Sequence, residues 1–96
     1  MMMIMIMIMI TSGSHEIQVY FDGLCQPYNP GGIACYAFVI LAKKGQEHWQ
    51  QHYSEYGLAA ESFADSATNN VAEYTGIIKA LEWLLEKTIT TRIKRS

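Results

Sequence analysis

Thr68-Asn69-Asn70-Val71-Ala72-Glu73-Tyr74 decides how this chain is interpreted, together with Tyr20-Phe21-Asp22-Gly23 much earlier in the sequence. The later stretch predicts a helix start, with Asn70 as the N-cap and Glu73 in the first turn. The earlier stretch predicts an apolar strand that ends at the turn signal Asp22-Gly23. A strand end and a helix start that bring two carboxylates to one spot predict half of a magnesium site.

Length and charge limit the classes of protein that the chain can belong to. Its 96 residues are 50% hydrophobic and 17% charged, which fits one folded domain rather than a disordered segment. A net charge of −2 argues against binding nucleic acid through an overall positive charge. Local contacts, or binding helped by the charge of Mg²⁺, remain compatible with this composition.

The cysteines indicate a compartment. Cys25 and Cys35 are the two cysteines of the chain, and they lack the spacing of a CxxC motif. Two reduced thiols in a cytoplasmic protein are favoured over one disulfide.

The first ten residues are a low-complexity apolar run of Met and Ile. The run is shorter than the ~20 residues of a membrane helix, and it lacks the basic segment and cleavage site of a signal peptide. Three interpretations are open, in this order: a translation or cloning artefact, a leading extension of the first strand, and a membrane-seeking tail. Residues 1–14 are therefore treated as a low-complexity leader, and the domain is predicted over residues 15–96.

Apolar periodicity predicts three strands, one helix and the start of a fourth strand. The predicted strands cover 17–21, 33–42, 47–55 and 89–94, and the predicted helix covers 70–87. The first three strands form an antiparallel meander, and the fourth returns parallel after the helix, which gives a mixed α/β sheet. The helix is predicted to pack through an apolar stripe of Val71, Tyr74, Ile78, Leu81 and Leu85.

Each candidate site residue also has an ordinary structural explanation. Asp22-Gly23 is a common turn after a strand. Glu73 would complete a reciprocal cap with Asn70, and Asn29-Pro30-Gly31-Gly32 by itself is a turn. The order and spacing of these motifs are more specific than any one of them.

Together the segments resemble ribonuclease H of type 1, in its short archaeal and bacterial form, over about Ile17 to Ile93. The segments that carry the resemblance are Tyr20-Phe21-Asp22-Gly23-Leu24-Cys25, Asn29-Pro30-Gly31-Gly32-Ile33-Ala34, Phe38-Val39-Ile40, Thr68-Asn69-Asn70-Val71-Ala72-Glu73-Tyr74 and Ala80-Leu81-Glu82.

The resemblance implies a fold, an activity and a set of site residues. The family hydrolyses the RNA strand of RNA/DNA hybrids endonucleolytically, with two Mg²⁺ ions held by four carboxylates; Mn²⁺ is an alternative metal. Asp22 and Glu73 match the first two of these carboxylates, as catalytic and metal-binding residues. The residues that match the nucleic-acid-binding part, which reads ribose 2′-hydroxyls, are Gly23, Cys25, Asn29, Asn69 and Asn70.

The chain also departs from the family pattern. The family's third carboxylate follows a segment like residues 89–94, and this chain reaches Ser96 without it. The expectation is the N-terminal portion of a ribonuclease H-like domain, weak or inactive alone. The alternatives are a split or frameshifted ribonuclease H completed by a C-terminal fragment or a second chain, a non-catalytic hybrid-binding remnant, and a poorly folded, inactive chain.

Overall fold

A computed structural model describes the backbone of residues 6–95 and the side chains of residues 7–11 and 13–87. Four strands precede one long helix. The elements are β1 (Ile6–Ser12), β2 (His15–Gln26), β3 (Ile33–Lys44), β4 (Gln50–Leu58) and α1 (Asn69–Arg95).

The four strands form one antiparallel sheet in the order β1-β2-β3-β4. The predicted meander is confirmed, because β2, β3 and β4 are neighbours joined in sequence order. The predicted parallel strand at residues 89–94 is wrong, since this segment continues α1 to Arg95. The free side of β2 pairs instead with β1, so residues 6–12 of the Met/Ile leader are a strand of the sheet.

Strand β2 continues beyond its predicted end. Pairing with β3 is unbroken from His15↔Lys44 to Gln26↔Ile33, and Asp22 lies opposite Ala37 inside this ladder. The predicted turn at Asp22-Gly23 is therefore wrong. A twelve-residue ladder of backbone hydrogen bonds outweighs the turn preference of one Asp-Gly pair.

The hydrophobic core lies between α1 and one face of the sheet. Its buried members are Val19, Phe21, Tyr36, Phe38, Ile40 and Ala80, with Ile17, Tyr53, Ile77, Trp83 and Leu84 packed against them. The face of α1 that contacts the sheet carries the small, buried residues Ala72, Gly76 and Ala80. Small side chains let the helix backbone come close to the strands.

The predicted packing face of α1 is therefore wrong. Tyr74, Ile78, Leu81 and Leu85 are exposed by 50–65%, and Val71 is half-buried. Both faces of the helix carry apolar residues at intervals of three and four, and the close approach at Ala72 and Gly76 decides which face is buried. Within residues 6–95, no helix is long and apolar enough to cross a membrane.

A polar cluster joins β3 to the edge strand β4. The hydroxyls of Tyr36 and Tyr53 donate hydrogen bonds of 2.6 and 2.9 Å to the carboxylate of Glu55. The bond from Tyr36, followed by that from Tyr53, holds the pKa of Glu55 below its ordinary value. The bond to Glu55, together with burial, raises the pKa of Tyr36 to about 12.

This cluster should make stability depend on pH at both ends of the scale. A lowered folded pKa of Glu55 stabilises the fold above the unfolded pKa, and that contribution is lost as the pH falls below about 4.5. The raised pKa of Tyr36 stabilises the fold below pH 10, and that contribution is lost between pH 10 and about 12.

Urea unfolding measures this dependence. The free energy of unfolding should fall less steeply with acid in Glu55→Gln, and less steeply with alkali in Tyr36→Phe, than in the unaltered chain. Glu61→Gln, at an exposed carboxylate, should keep both declines; unchanged slopes in the two cluster variants would refute this account.

Candidate functional site

The candidate site is built where the start of α1 crosses β2 at Gly23. A Cβ atom on Gly23 would lie 2.2 Å from the backbone nitrogen of Glu73 and 2.4 Å from the carbonyl carbon of Ala72. Only glycine, which has no Cβ atom, fits between the two backbones. The missing side chain thus brings the backbone of Glu73 against Gly23, the residue that follows Asp22 in β2.

Asp22 is a buried carboxylate inside a strand. Its side chain is 4% exposed. Among the described residues, Asp22 is the one polar or charged residue that is buried. Its Oδ1 accepts a hydrogen bond of 2.9 Å from the backbone N–H of Gly23. Its Oδ2 is buried without a hydrogen-bond partner in the described part of the chain. A buried carboxylate oxygen without a partner lowers the free energy of unfolding. A cation or a hydrogen-bond donor that reached Oδ2 would remove this cost.

Glu73 has no capping role in the structure. Thr68 is the N-cap of α1: its Oγ1 accepts from the N–H of Val71, and its carbonyl accepts from the N–H of Ala72, each at 3.0 Å. The prediction of Asn70 as the N-cap is therefore wrong, and no acidic residue lies in the first turn. The turn explanation of Asp22 and the capping explanation of Glu73 both fail.

The sequence signal for Thr68 was present but ambiguous. Thr68, Asn69 and Asn70 are all good N-cap residues. The side chain of Asn69 is engaged by β2, which leaves Thr68 to cap the helix.

The donor set can be tested for its fit to Mg²⁺. Asp22 and Glu73 offer hard carboxylate oxygens of the type that Mg²⁺ prefers. Alternation along β2 sends the Asp22 side chain to the face opposite the one on which Gly23 meets α1. A shared ion therefore requires the Glu73 carboxylate to reach from the α1 face of β2 to the face that carries Asp22. Among the described residues, no group of three or more His, Cys, Asp or Glu side chains gathers to hold a metal.

A second set of contacts ties the loop after β2 to the start of α1. Asn69 Oδ1 accepts a hydrogen bond of 2.7 Å from the backbone N–H of Cys25. The backbone N–H of Asn69 donates in turn to Asn29 Oδ1 at 3.1 Å. Both amide oxygens are used inside the protein, so the side-chain NH₂ groups of Asn29 and Asn69 are the donors that remain for a ligand.

The same region is fixed by further backbone contacts. The N–H of Gly31 donates to the carbonyl of Ala67 at 2.9 Å. The buried thiol of Cys25 lies 2.9 Å from the Tyr28 carbonyl and 3.1 Å from the Ala67 carbonyl. Gly23, Cys25, Asn29 and Asn69 are thus brought together, and the exposed Asn70 follows Asn69 on α1.

Both thiols are free, as predicted from their spacing. The register pairs Cys25 with Ala34 and Cys35 with Leu24. The side chains of the two cysteines therefore lie on opposite faces of the sheet. Cys25 is buried on the face covered by α1, whereas Cys35 is exposed. A disulfide between them is excluded by this geometry.

No protein-family model matches the chain.

Proposed function

We propose that this chain carries the first half of a ribonuclease H-type site, for Mg²⁺-dependent endonucleolytic hydrolysis of the RNA strand of RNA/DNA hybrids. The observation that supports this best is the buried, unpaired Oδ2 of Asp22, a residue whose neighbour Gly23 contacts the start of α1. A natural sequence tolerates such an oxygen when a ligand compensates it.

Asp22 and Glu73 are the residues proposed to hold the metal. Bound Mg²⁺, or Mn²⁺ in its place, supplies positive charge that activates the attacking water and stabilises the leaving oxygen. Asp22 contributes a fixed acceptor, because the Gly23 N–H holds its other oxygen in place. Glu73 contributes the second carboxylate from the helix side.

The asparagine cluster is proposed to recognise the hybrid. Asn29, Asn69 and Asn70 present amide groups beside the backbone of Gly23 and Cys25, on a frame held by the Cys25–Asn69 hydrogen bond. Amide and backbone groups can bond to ribose 2′-hydroxyls, which distinguish RNA from DNA. Recognition through a few neutral donors is compatible with the net charge of −2.

Counting charges limits the activity of the chain by itself. A pair of Mg²⁺ ions brings four positive charges, and Asp22 with Glu73 supplies two negative ones. The repulsion between closely spaced ions is then poorly offset. The chain should bind at most one Mg²⁺ weakly, and efficient cleavage should need carboxylates from a complementing C-terminal fragment or a second chain.

A non-catalytic RNA/DNA-hybrid-binding protein is the second candidate. One observation favours it: the asparagine cluster is assembled, while the described residues hold no group of three metal-binding side chains. This alternative requires hybrid binding without cleavage.

The two candidates are separated by measuring binding and cleavage on the same labelled hybrid. The full chain should bind an RNA/DNA hybrid more tightly than a DNA duplex of the same sequence, with fluorescence anisotropy as the readout. Replacing Asn69 by Ala should weaken hybrid binding about tenfold, the equivalent of the one or two hydrogen bonds removed. Asn70→Ala tests the exposed neighbour without disturbing the Cys25 contact.

Cleavage should appear when a ribonuclease H fragment that supplies the remaining carboxylates is added with Mg²⁺. Hybrid binding without cleavage under these conditions would favour the non-catalytic candidate. Equal affinity for hybrid and DNA duplex would contradict both.

A further inference from the structure

The outer edge of β1 has no partner strand among the described residues. Strand β1 lies at the end of the sheet and pairs with β2 down to Ser12↔His15, across a two-residue loop. In such a hairpin the residues that flank the loop form a hydrogen-bonded pair, and bonding alternates from there. The backbone N–H and C=O groups of Met7, Met9 and Thr11 therefore point to the open edge.

This edge is complementary to itself. The sequence Ile6-Met7-Ile8-Met9-Ile10 reads the same in both directions. The segment Ile6–Ser12 contains no charged residue and no proline, which are the usual devices that block edge pairing. Met7, Ile8, Met9 and Ile10 are exposed by 38–49%, so the edge is both open and apolar.

We propose that a second copy of this chain pairs with β1 in antiparallel orientation, about a two-fold axis through Ile8. In this register Met7 lies opposite Met9 of the second copy, and each such pair exchanges its outward backbone hydrogen bonds. Ile8 lies opposite Ile8 of the second copy, and like side chains share a face. The two four-stranded sheets then join into one continuous sheet with a self-matching interface.

Charge and area define how strong this dimer is. Because β1 carries no charge, the contact contains no like-charge repulsion. Each edge buries about a few hundred Å², less than the ~800 Å² per partner of a standard stable interface. The dimer is therefore concentration-dependent rather than permanent.

Sedimentation velocity of the full chain over a range of concentrations tests this proposal. The average mass should rise from monomer to dimer as the concentration increases. Ile8→Lys and Ile8→Glu each place two like charges opposite one another, and each should raise the dissociation constant about tenfold or more. An equimolar mixture of the two variants should restore the dimer, because the ammonium group of one variant then faces the carboxylate of the other. A variant that failed to fold would not recover on mixing.

Two matched variants locate the interface. Ser54→Lys alters the exposed surface of the opposite edge strand β4, and Leu81→Lys alters the exposed stripe of α1; neither should weaken the dimer. Hydrogen exchange of the unaltered chain should show protection of the Met7 and Met9 amides that grows with concentration. A monomer at all concentrations, loss of the dimer in Leu81→Lys or Ser54→Lys, or no recovery in the mixture would overturn the proposal.

Discussion

Replacing Gly23 by Ala is expected to lower the free energy of unfolding by about 3 kcal/mol or more. The added Cβ would lie 2.2 Å from the nitrogen of Glu73 and 2.4 Å from the carbonyl carbon of Ala72. Both are backbone atoms, so no side-chain rotation can relieve the overlap. The start of α1 must move away from β2, which also moves Glu73 away from Gly23. Urea unfolding followed by tryptophan fluorescence measures the loss.

Gly76 is the matched control for this substitution, since it lies on the α1 side of the same contact between α1 and the sheet. A Cβ there would meet the carbonyl oxygens of Ala37 and Asp22 at 3.4 Å, which is ordinary contact. Alanine is also a better helix former than glycine, by about 1 kcal/mol. Gly76→Ala should therefore be neutral or stabilising. Similar effects of the two substitutions would refute the described crossing of α1 over β2.

Asp22→Asn is expected to change stability and function in opposite directions. Asparagine keeps an Oδ1 acceptor for the Gly23 N–H and removes the buried charge. In the absence of divalent metal, the free energy of unfolding should rise by about 1 kcal/mol, as at other functional sites that hold an unfavourable group. Stabilisation by Mg²⁺ should disappear, and so should cleavage of the hybrid by the complemented chain. Thermal unfolding with and without Mg²⁺ measures the first two effects.

Asp65→Asn is the control for a general charge effect. Asp65 is exposed in the segment before α1. The same change in net charge at this position should leave both the stability and its dependence on Mg²⁺ unaltered. A destabilising Asp22→Asn variant that still responds to Mg²⁺ would contradict a metal site at Asp22.

The β2-β3-β4 meander was predictable from sequence because apolar strand patterns and turn residues are local signals, whereas the pairing of β1 with β2 was not predicted. Three of the described strands and the position of α1 follow from them. The extension of β2 through Asp22 was not predictable locally, because it depends on pairing with β3. The buried face of α1 was also mispredicted. Leu81 and Ala80 each lie on an apolar stripe of the helix, and the close approach of α1 to the sheet at Gly23 and Gly76 buries the stripe with the smaller residues.

The candidate site shows the same division between local and distant signals. Asp22, Asn29 and Asn69 could be singled out from their motifs. The contacts of Asn69 with Asn29 and with Cys25 join positions 40 and 44 residues apart, which no local pattern reveals. The unpaired Oδ2 of Asp22 is a property of burial, and burial follows only from the assembled sheet and helix.

The central claim is that Asp22 and Glu73 form a metal-binding half-site at the crossing of β2 and α1. A titration of the isotope-labelled chain with Mg²⁺, followed by the NMR signals of its backbone amides, tests it most directly. The account predicts a saturable, single-site shift of the Gly23 and Glu73 amides, absent in Asp22→Asn and retained in Asp65→Asn. Shifts confined to exposed acidic residues, with Gly23 and Glu73 unmoved at saturating Mg²⁺, would contradict it.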